Sequence, residues 1–501
     1  MKRYRFSSWI ILACWLTAAA CIDDKTTGFL TEGSPIVITA ADTVFYEDFG
    51  IPLVISPEIS QSVAGLPLTY EWKMIAESGD GSDSLRLIGT EKVLNYKFPR
   101  SGVFRLRLRV ENQYGSSFMY FTANIRALFE QGLLILSNDM EDRGRISFLR
   151  LKDEQEVVGK TEADFNLDAF AQANPEQTLR GVRDLLVTRT GPNSRIRHYS
   201  LAISSEPDQK IYFMNPQYFL MENISDLTLF FPEAYPTVLC GNDATRSDEI
   251  LVATHDRTGK PGDFGVIRLE SQLAYPAQTS GIYDKIIMSE CYLPDFRVTD
   301  YVGCLIDNTH SQVYGVYNNS RLYSTGERFK GQEVVNAAFY GNEGKLLIIS
   351  ADKNNPRRIG IHKGVNARLW DYDVEMPFES EPYVYTADEP LTLGFDSPIV
   401  GNDKYQCVYY SAGNKLYRWI FMASEPKLPV VPDLTLEQGD EITCLGLSPD
   451  QEHLWVCVYN PDAPTQLKGK LLIYNADNLT LEKTFKGISD RAVKVMWKPA
   501  K

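Results

Sequence analysis

The chain has 501 residues, of which 65 are acidic and 51 are Lys or Arg, so its formal net charge at pH 7 is −14. Nucleic acids and anionic lipid surfaces bind basic patches, so this composition argues against both as partners. The length is sufficient for more than one hydrophobic core. We therefore expect an acidic protein of several domains with no nucleic-acid partner.

Residues 1–20 have the pattern of a signal peptide. Three bases within the first five residues precede an apolar run from Trp9 to Ala20. A helix that spans a bilayer needs about 20 apolar residues, so this run is typical of an export signal rather than of a membrane span. We expect the protein to leave the cytoplasm.

The end of this run resembles the lipobox of bacterial lipoproteins. Small residues occupy positions 17–20, and Cys21 follows them directly. In that family a peptidase cuts before the cysteine, and the thiol carries diacylglycerol. Because each buried CH₂ contributes about 0.8 kcal/mol, two or more acyl chains hold a protein stably on a membrane. The resemblance implies a lipid anchor on Cys21; the alternative is an ordinary cleavage site with a chance cysteine.

The residues after Cys21 carry a second resemblance. Asp23 and Asp24 give this stretch an acidic character that resembles the surface-export signal of Bacteroidota lipoproteins. The resemblance implies an outer-membrane protein that faces the cell surface, with residues 21–33 as a polar tether. The alternative is a soluble tether that is acidic by chance.

Residues 34–127 are predicted to form a β-sandwich of immunoglobulin size. Short apolar runs alternate with turn residues there, which indicates strands. The predicted strands are Ile36–Thr39, Leu53–Ile55, Leu68–Met74, Leu85–Leu87, Tyr96–Phe98, Val103–Asn112 and Ser117–Ile125. Trp72 is expected to fill the core between the sheets.

The strand after Gly102 resembles the end of a PKD domain, in which a turn glycine precedes a long alternating strand and a hairpin. In this strand Arg105, Arg107 and Arg109 share one face, opposite four apolar residues. A solvated outer face is the favoured interpretation of these arginines, and a ligand patch is the alternative. The run that usually follows the tryptophan of PKD domains is replaced here by Lys73-Met74. The module is thus PKD-like and divergent.

Residues 128–501 are predicted to form a β-propeller of about seven blades. Hairpins recur along this stretch, and the clearest, at residues 441–459 with a Ser-Pro-Asp turn, resembles a propeller blade. The lone strand at residues 491–498 is expected to pair with the first hairpin and so remove exposed sheet edges. The expected fold is therefore all-β: a PKD-like sandwich followed by a propeller.

The cysteines of the mature chain other than Cys21 are scattered and do not form the close pairs that bind zinc or shuttle electrons. Cys444 and Cys457 are expected to face each other across the predicted hairpin. An exported protein permits a disulfide there, and two buried thiols are the equal alternative.

The sequence contains no nucleophile elbow, zinc-binding helix or phosphate-binding loop. Five histidines are far apart and share no ligand spacing. His255 and Asp256 are adjacent, and their surroundings favour a hairpin loop over a catalytic pair. We predict no catalytic residue, no metal and no cofactor.

Aromatic side chains in loop-like surroundings are the candidate ligand contacts, because their flat faces stack on sugar rings and on apolar peptide side chains. The alternative for each is core packing between blades. The candidates are Tyr218, Phe219, Phe230, Phe231, Tyr235, Trp370 and Tyr372.

Taken together, the lipobox, acidic stretch, PKD-like sandwich and propeller resemble the PKD-like family lipoproteins of Bacteroidota. These are encoded beside outer-membrane transporters of the SusC/SusD (RagA/RagB) type. The resemblance implies a non-enzymatic surface lipoprotein that captures oligosaccharides or peptides, or that serves as an accessory subunit of such a transporter. The alternatives are a propeller-fold glycoside hydrolase, lyase or peptidase, and a structural or adhesive scaffold.

Overall fold

The computed structural model describes residues 33–76, 84–189, 199–229, 232–240, 249–258, 265–268, 271–276, 284–288, 301–317, 321–340, 345–364, 376 and 378–500. Almost all regular structure in these ranges is strand, which confirms the all-β prediction. The chain divides into two compact units, residues 1–127 and 128–501. Cys21, Asp23 and Asp24 lie outside the described residues. Within the described part, no helix has the length and apolarity needed to cross a membrane.

The first unit contains nine described strands, β1 to β9. They are Ile36–Thr39, Val44–Asp48, Leu53–Ile55, Glu58–Gln61, Thr69–Ala76, Ser84–Gly89, Leu94–Tyr96, Gly102–Asn112 and Gly115–Arg126. One sheet has the order β2-β9-β8-β5-β6, with β2 parallel to β9 and the other pairs antiparallel. Two small antiparallel sheets pair β1 with β4 and β3 with β7. All seven strands expected from the sequence overlap observed ones, and the sequence analysis missed β2 and β4.

Trp72 lies at the centre of the first unit's core, as its place in the sequence predicts. Its side chain is fully buried, its ring centroid lies 5.3 Å from that of Phe121, and its Nε1 donates to the Glu91 carbonyl over 3.0 Å. The apolar face of β8 packs in the same cluster, together with residues of the two small sheets. One hydrophobic core therefore joins the three sheets.

The arginines of β8 lie on the face opposite that core. Arg107 forms an ion pair with Glu71 at 3.4 Å, and Arg109 forms one with Glu111 at 2.9 Å. Arg105 is exposed. Surface ion pairs of this kind contribute little to stability, about 0–1 kcal/mol each. The favoured interpretation of a solvated outer face agrees with these contacts.

The second unit contains strands β10 to β38, which form seven sheets within the described residues. In chain order the strands are β10 (Gly132–Asn138), β11 (Arg143–Arg150), β12 (Phe165–Asn166), β13 (Leu179–Arg180), β14 (Val182–Arg189), β15 (Tyr199–Ser205), β16 (Lys210–Met214), β17 (Met221–Asp226), β18 (Tyr235–Cys240), β19 (Glu249–His255), β20 (Gly265–Arg268), β21 (Leu273–Pro276), β22 (Lys285–Met288), β23 (Tyr301–Asp307), β24 (Gln312–Tyr317), β25 (Arg321–Ser324), β26 (Gln332–Tyr340), β27 (Lys345–Asp352), β28 (Asn355–Gly364), β29 (Tyr383–Thr386), β30 (Ile399–Asn402), β31 (Cys407–Ala412), β32 (Lys415–Trp419), β33 (Leu434–Thr435), β34 (Glu441–Leu447), β35 (His453–Tyr459), β36 (Gly469–Asn475), β37 (Leu481–Ser489) and β38 (Arg491–Lys498).

Six of the seven sheets are four-stranded antiparallel meanders of consecutive strands: β14–β17, β18–β21, β22–β25, β26–β29, β30–β33 and β34–β37. The remaining sheet has the order β38-β10-β11-β12, with β13 also paired to β11. The C-terminal strand β38 thus pairs antiparallel with β10, Leu133 opposite Trp497, as the sequence predicts. No free edge is left on β10, which would otherwise be a template for pairing with another chain.

The seven sheets follow one another in a propeller-like arrangement. The first strand of each sheet packs against the first strand of the next, from β14 through β18, β22, β26, β30 and β34 to β38, and β38 contacts β14 in turn. The circle is made by packing between separate sheets and not by one closed sheet. Residues of β38, β10 and β35, among them the buried Trp455 and Trp497, share one hydrophobic cluster, so both tryptophans are core residues.

A few helical turns interrupt this arrangement. Helix α1 (Ala169–Ala173) begins after Asp168, whose carboxylate accepts a hydrogen bond from the Ala171 amide at 3.0 Å, as N-cap residues do. Its Phe170 is buried in the core between the first two sheets. Three 3₁₀ turns cover Gln155–Gly159, Glu162–Asp164 and Leu227–Leu229.

Cys444 and Cys457 are opposite each other in the pairing of β34 with β35. The prediction that they face each other is correct, and both carry thiols rather than a disulfide. Burial holds the pKa of the Cys457 thiol well above its usual range. Such a thiol reacts slowly, because the thiolate is the reactive form.

Candidate ligand-binding cavity

A cavity of about 380 Å³ lies between the first strands of the sheets in the second unit. Each of β14, β18, β22, β26, β30, β34 and β38 contributes at least one residue to its wall. Apolar side chains such as Val238, Ile399 and Val495 alternate with charged and polar ones. Small-molecule sites have volumes of about 300–1,000 Å³ and this mixed character.

One part of the wall holds an ion pair between neighbouring first strands. Lys494 Nζ on β38 lies 3.0 Å from Asp184 Oδ1 on β14, and both side chains are mostly buried. The Asp184 carboxylate also accepts hydrogen bonds from the amides of Leu185 and Leu239, each at 2.8 Å. Leu239 belongs to β18, so one carboxylate joins the first strands of three successive sheets. This arrangement compensates the buried charges.

Another part of the wall holds a lysine in a different environment. Lys285 on β22 donates to the Phe395 carbonyl and, at 3.4 Å, to Asn336 Oδ1 on β26. Its ammonium lies 4.9 Å from the centre of the Phe395 ring. Burial lowers the pKa of Lys285, and the charge of nearby Asp396 opposes this effect. Both hydrogen-bond acceptors of this cation, the Phe395 carbonyl and Asn336 Oδ1, are uncharged oxygens.

Asn336 fixes the loop that borders this lysine. Its Nδ2 donates to the carbonyls of Gly394 and Ser397 at 2.9 and 3.1 Å, and its Oδ1 accepts from the Ala337 amide at 2.9 Å. The residue is fully buried. Like Asp184, it follows a register shift in the first strand of its sheet and binds the next amide along the chain. The same kind of register shift thus positions a polar side chain at two places in the cavity wall.

Thr443 lies at a third such register shift, on β34. Thr443 is among the residues that line the cavity, and its hydroxyl oxygen is buried and has no hydrogen-bond partner among the described residues. A buried hydroxyl without a partner costs about 1–3 kcal/mol relative to one that is satisfied. The wall therefore holds an unused hydrogen-bonding group as well as a cation.

The aromatic candidates of the sequence analysis do not form one site. Phe230, Phe231, Trp370 and Tyr372 lie outside the residues whose side chains the structure describes. Phe219 is fully buried, and its ring stacks on that of Phe129 with centroids 4.3 Å apart. The prediction that Phe219 contacts a ligand at the surface is therefore wrong. Its backbone has a left-handed φ of 53°, and its side chain belongs to the core. Tyr218 is half-buried in the same turn.

Tyr235 is connected to the cavity wall through a chain of polar contacts. Its ring stacks on that of His255 with centroids 5.6 Å apart, and His255 Nε2 lies 2.8 Å from Glu206 Oε1. The other oxygen of Glu206 pairs with Arg183, which lines the cavity. Tyr235 Oη accepts from Arg257 Nε at 2.9 Å. These contacts connect Tyr235 to the cavity wall.

His255 is the last residue of β19, and Asp256 follows it in the connection to β20, which agrees with the predicted hairpin loop. Asp256 Oδ1 accepts hydrogen bonds from the Thr258 amide at 2.8 Å and from the Thr258 hydroxyl at 2.6 Å. His255 Nδ1 contacts the Asp256 carbonyl rather than its carboxylate. The contact given for His255 with Asp256 is therefore one to the backbone.

A serine–histidine contact elsewhere in the second unit has the wrong hydrogen-bond direction for a nucleophile and base. Ser350 Oγ lies 2.9 Å from His362 Nε2, and both residues are buried. Arg328 Nε donates to His362 Nδ1 at 3.2 Å, so the proton of the neutral ring is on Nε2 and is donated to Ser350. Ser350 in turn donates to Gln332 Oε1. Burial, together with the charge of Arg328, lowers the pKa of His362 to about 3.

Within the residues that the structure describes, no group of three or more His, Cys, Asp or Glu side chains is placed to hold a metal ion.

The residues that line the cavity are not among the site residues predicted from the sequence. Asp184 and Lys285 each stand at the start of a short apolar run, Leu-Leu-Val and Ile-Ile-Met, directly after another charged residue, whereas Lys494 lies within the run Val-Lys-Val-Met-Trp. A charge in an otherwise buried strand is the signal that marks them, because charged side chains are rarely buried without a partner. Lys494 falls in the strand that the sequence predicts at residues 491–498.

No protein-family model matches the chain, and no curated protein matches it. Solved structures with a similar fold include a quinonprotein alcohol dehydrogenase-like protein from Bacteroides thetaiotaomicron VPI-5482. It is 16% identical over 93% of this chain and 100% of that one, with a TM-score of 0.45. The dihydro-heme d1 dehydrogenase NirN is 10% identical over 74% and 76%, with a TM-score of 0.41. Apo AztD from Citrobacter koseri is 9% identical over 87% and 99%, with a TM-score of 0.37.

Proposed function

We propose that this protein is a non-enzymatic lipoprotein of the outer-membrane surface that captures nutrient oligomers, either oligosaccharides or peptides, or serves as an accessory subunit of a SusC/SusD-type uptake complex. The second unit is the recognition platform. The first unit, which resembles a PKD-like domain, is a spacer between that platform and the lipid on Cys21.

The observation that carries the binding role is the cavity between the first strands. Its volume of about 380 Å³ accommodates a sugar ring or a short peptide end, and its wall combines apolar surface with a small number of polar groups. Two of these groups, the Lys285 ammonium and the Thr443 hydroxyl, have hydrogen-bonding capacity left over. The surface location is supported by the resemblance of residues 17–24 to a lipobox and its export signal.

Binding is tested by titrating the mature chain with pools of oligosaccharides and of short peptides in a calorimeter, and by purifying it from membranes with any transporter that accompanies it. We expect affinity for one pool, or recovery with a SusC/SusD-type pair. A variant that lacks residues 128–501 is the control. If that variant retains both properties, the second unit is not the recognition platform.

The anchor is tested separately with Cys21→Ser. This variant is expected to lose its lipid and to move entirely from the membrane fraction to the soluble fraction, since acyl chains supply the attachment. Cys444→Ser, at a position inside the second unit, is the matched control and is expected to stay with the membrane. An unchanged distribution of the Cys21 variant would rule out the anchor.

A further inference from the structure

The two lysines that line the cavity differ in the charge of their partners. Lys494 has the Asp184 carboxylate at 3.0 Å, whereas both acceptors of Lys285 are uncharged oxygens. An ammonium has three N–H donors, and these two acceptors leave one available. Asp396, the acid that acts on Lys285, is exposed and acts through space.

A cation removed from water without a counter-charge is destabilised, and a carboxylate that arrives at hydrogen-bond distance relieves that cost. Asn336 and Phe395 hold the Lys285 side chain in place through its two existing hydrogen bonds. A site that is already ordered loses less entropy when a ligand binds. Thr443 adds a hydroxyl, which can donate to a carboxylate oxygen.

We propose that this cavity selects acidic ligands and binds a carboxylate group of the captured oligomer through the ammonium of Lys285. This inference rests on the proposed function, since it names the chemical class of the ligand. A uronic acid of an oligosaccharide and the free C-terminus of a peptide both supply the required carboxylate.

The test uses two matched pairs of probes with the full mature chain. The first pair is a mixture of short oligosaccharides from a polyuronate and the same mixture after reduction of its carboxyl groups. The second pair is a pool of short peptides with free C-termini and the same peptides as C-terminal amides. We expect one acidic probe to bind at least tenfold more tightly than its neutral partner, as the loss of a charge-assisted hydrogen bond implies. The pair that shows the difference identifies the source of the carboxylate.

The residue is tested with Lys285→Met, which keeps the length of the side chain and removes its charge. We expect this variant to bind the acidic probe about tenfold or more weakly and to bind the neutral partner unchanged. Lys415→Met, at an exposed position on β32, is the matched control and is expected to keep full affinity. Lys285→Arg, which retains the cation, is expected to keep most of the preference for the acidic probe.

Thr443→Val gives a second measurement that does not depend on the folding of the Lys285 variant. It is expected to weaken binding of the acidic probe by a few-fold. Equal affinity of acidic and neutral probes for the native chain, or full affinity of Lys285→Met, would overturn the inference and leave the capture function standing. The absence of binding by all four probes would overturn both.

Discussion

Two regions of the cavity wall hold charged side chains in opposite ways. Around Asp184, one carboxylate receives two backbone amides and the Lys494 ammonium, and it joins the first strands of three sheets. Around Lys285, an ammonium is held by two uncharged oxygens. The first region has the contacts of a structural joint, and the second has capacity left for a ligand. The difference predicts that substitutions in the first region act on stability and those in the second act on binding.

The largest effect is expected for Asp184→Ala. Removing one partner of a buried ion pair leaves the other uncompensated and costs about 3–5 kcal/mol, and two backbone amides lose their acceptor as well. The measurement is the free energy of local opening of β14 and β18 by native-state hydrogen exchange. Asp396→Ala, which removes an exposed acid from the same wall, is the matched control and is expected to change it by less than about 0.5 kcal/mol. Equal protection in both variants would contradict the assignment of Asp184 as a joint.

His362 is a third kind of titratable group in the second unit, since it is buried in its neutral form. Its pKa is lowered to about 3 by burial, with the charge of Arg328 acting in the same direction. Between about pH 6.5 and 3 the unfolded chain binds this proton and the folded chain does not, so stability falls as the pH falls through that window. Above about pH 6.5 this contribution is fully present.

The expected slope from His362 is at most about 1.4 kcal/mol per pH unit, since one proton is involved. Carboxylates also titrate in this range, so the comparison is between the native chain and His362→Gln. The free energy of unfolding of the native chain, from urea titrations between pH 7 and 4, is expected to decrease more steeply than that of the variant. Parallel slopes would mean that His362 is protonated in the folded protein.

Local features of the sequence predicted most of the fold. The hairpin at residues 441–459 is recognisable because a Ser-Pro-Asp turn separates two apolar runs, and the structure pairs these runs as β34 and β35. The closing strand was predicted because β10 would otherwise have an unpaired edge, and the structure pairs it with β38. Trp72 was predicted to be core from its place in a central strand, and it is fully buried.

The cavity was not predictable in the same way. Asp184, Lys285 and Lys494 lie far apart in the chain, and only the succession of sheets brings their strands to one wall. Phe219 shows the converse problem. Its neighbours correctly indicate a turn, but the left-handed backbone at Phe219 places its ring against Phe129 in the core. Turn residues predict where a chain reverses and do not predict where each side chain of the turn lies.

A small effect on stability is expected for Lys285→Met, in contrast to the large loss expected for Asp184→Ala. Because burial lowers its pKa, the charged form of Lys285 is less favourable in the folded chain than in water. Replacing it with a neutral side chain of similar length should therefore leave stability unchanged or raise it by up to about 1 kcal/mol at pH 7. Lys494→Met, the corresponding change in the other region, should lower it, since Asp184 loses its counter-charge.

The pH dependence of that small difference gives the sign of the effect. A lysine whose pKa is lowered in the folded state binds fewer protons there than in the unfolded state, between its lowered value and the ordinary value of about 10.4. The native chain therefore gains stability relative to Lys285→Met as the pH rises toward that value. Urea titrations of both proteins at pH 7 and pH 10 measure this convergence. If Lys285→Met is destabilised at pH 7 as strongly as Lys494→Met, then Lys285 stabilises the fold as Lys494 does, and its ammonium is not available to bind a ligand.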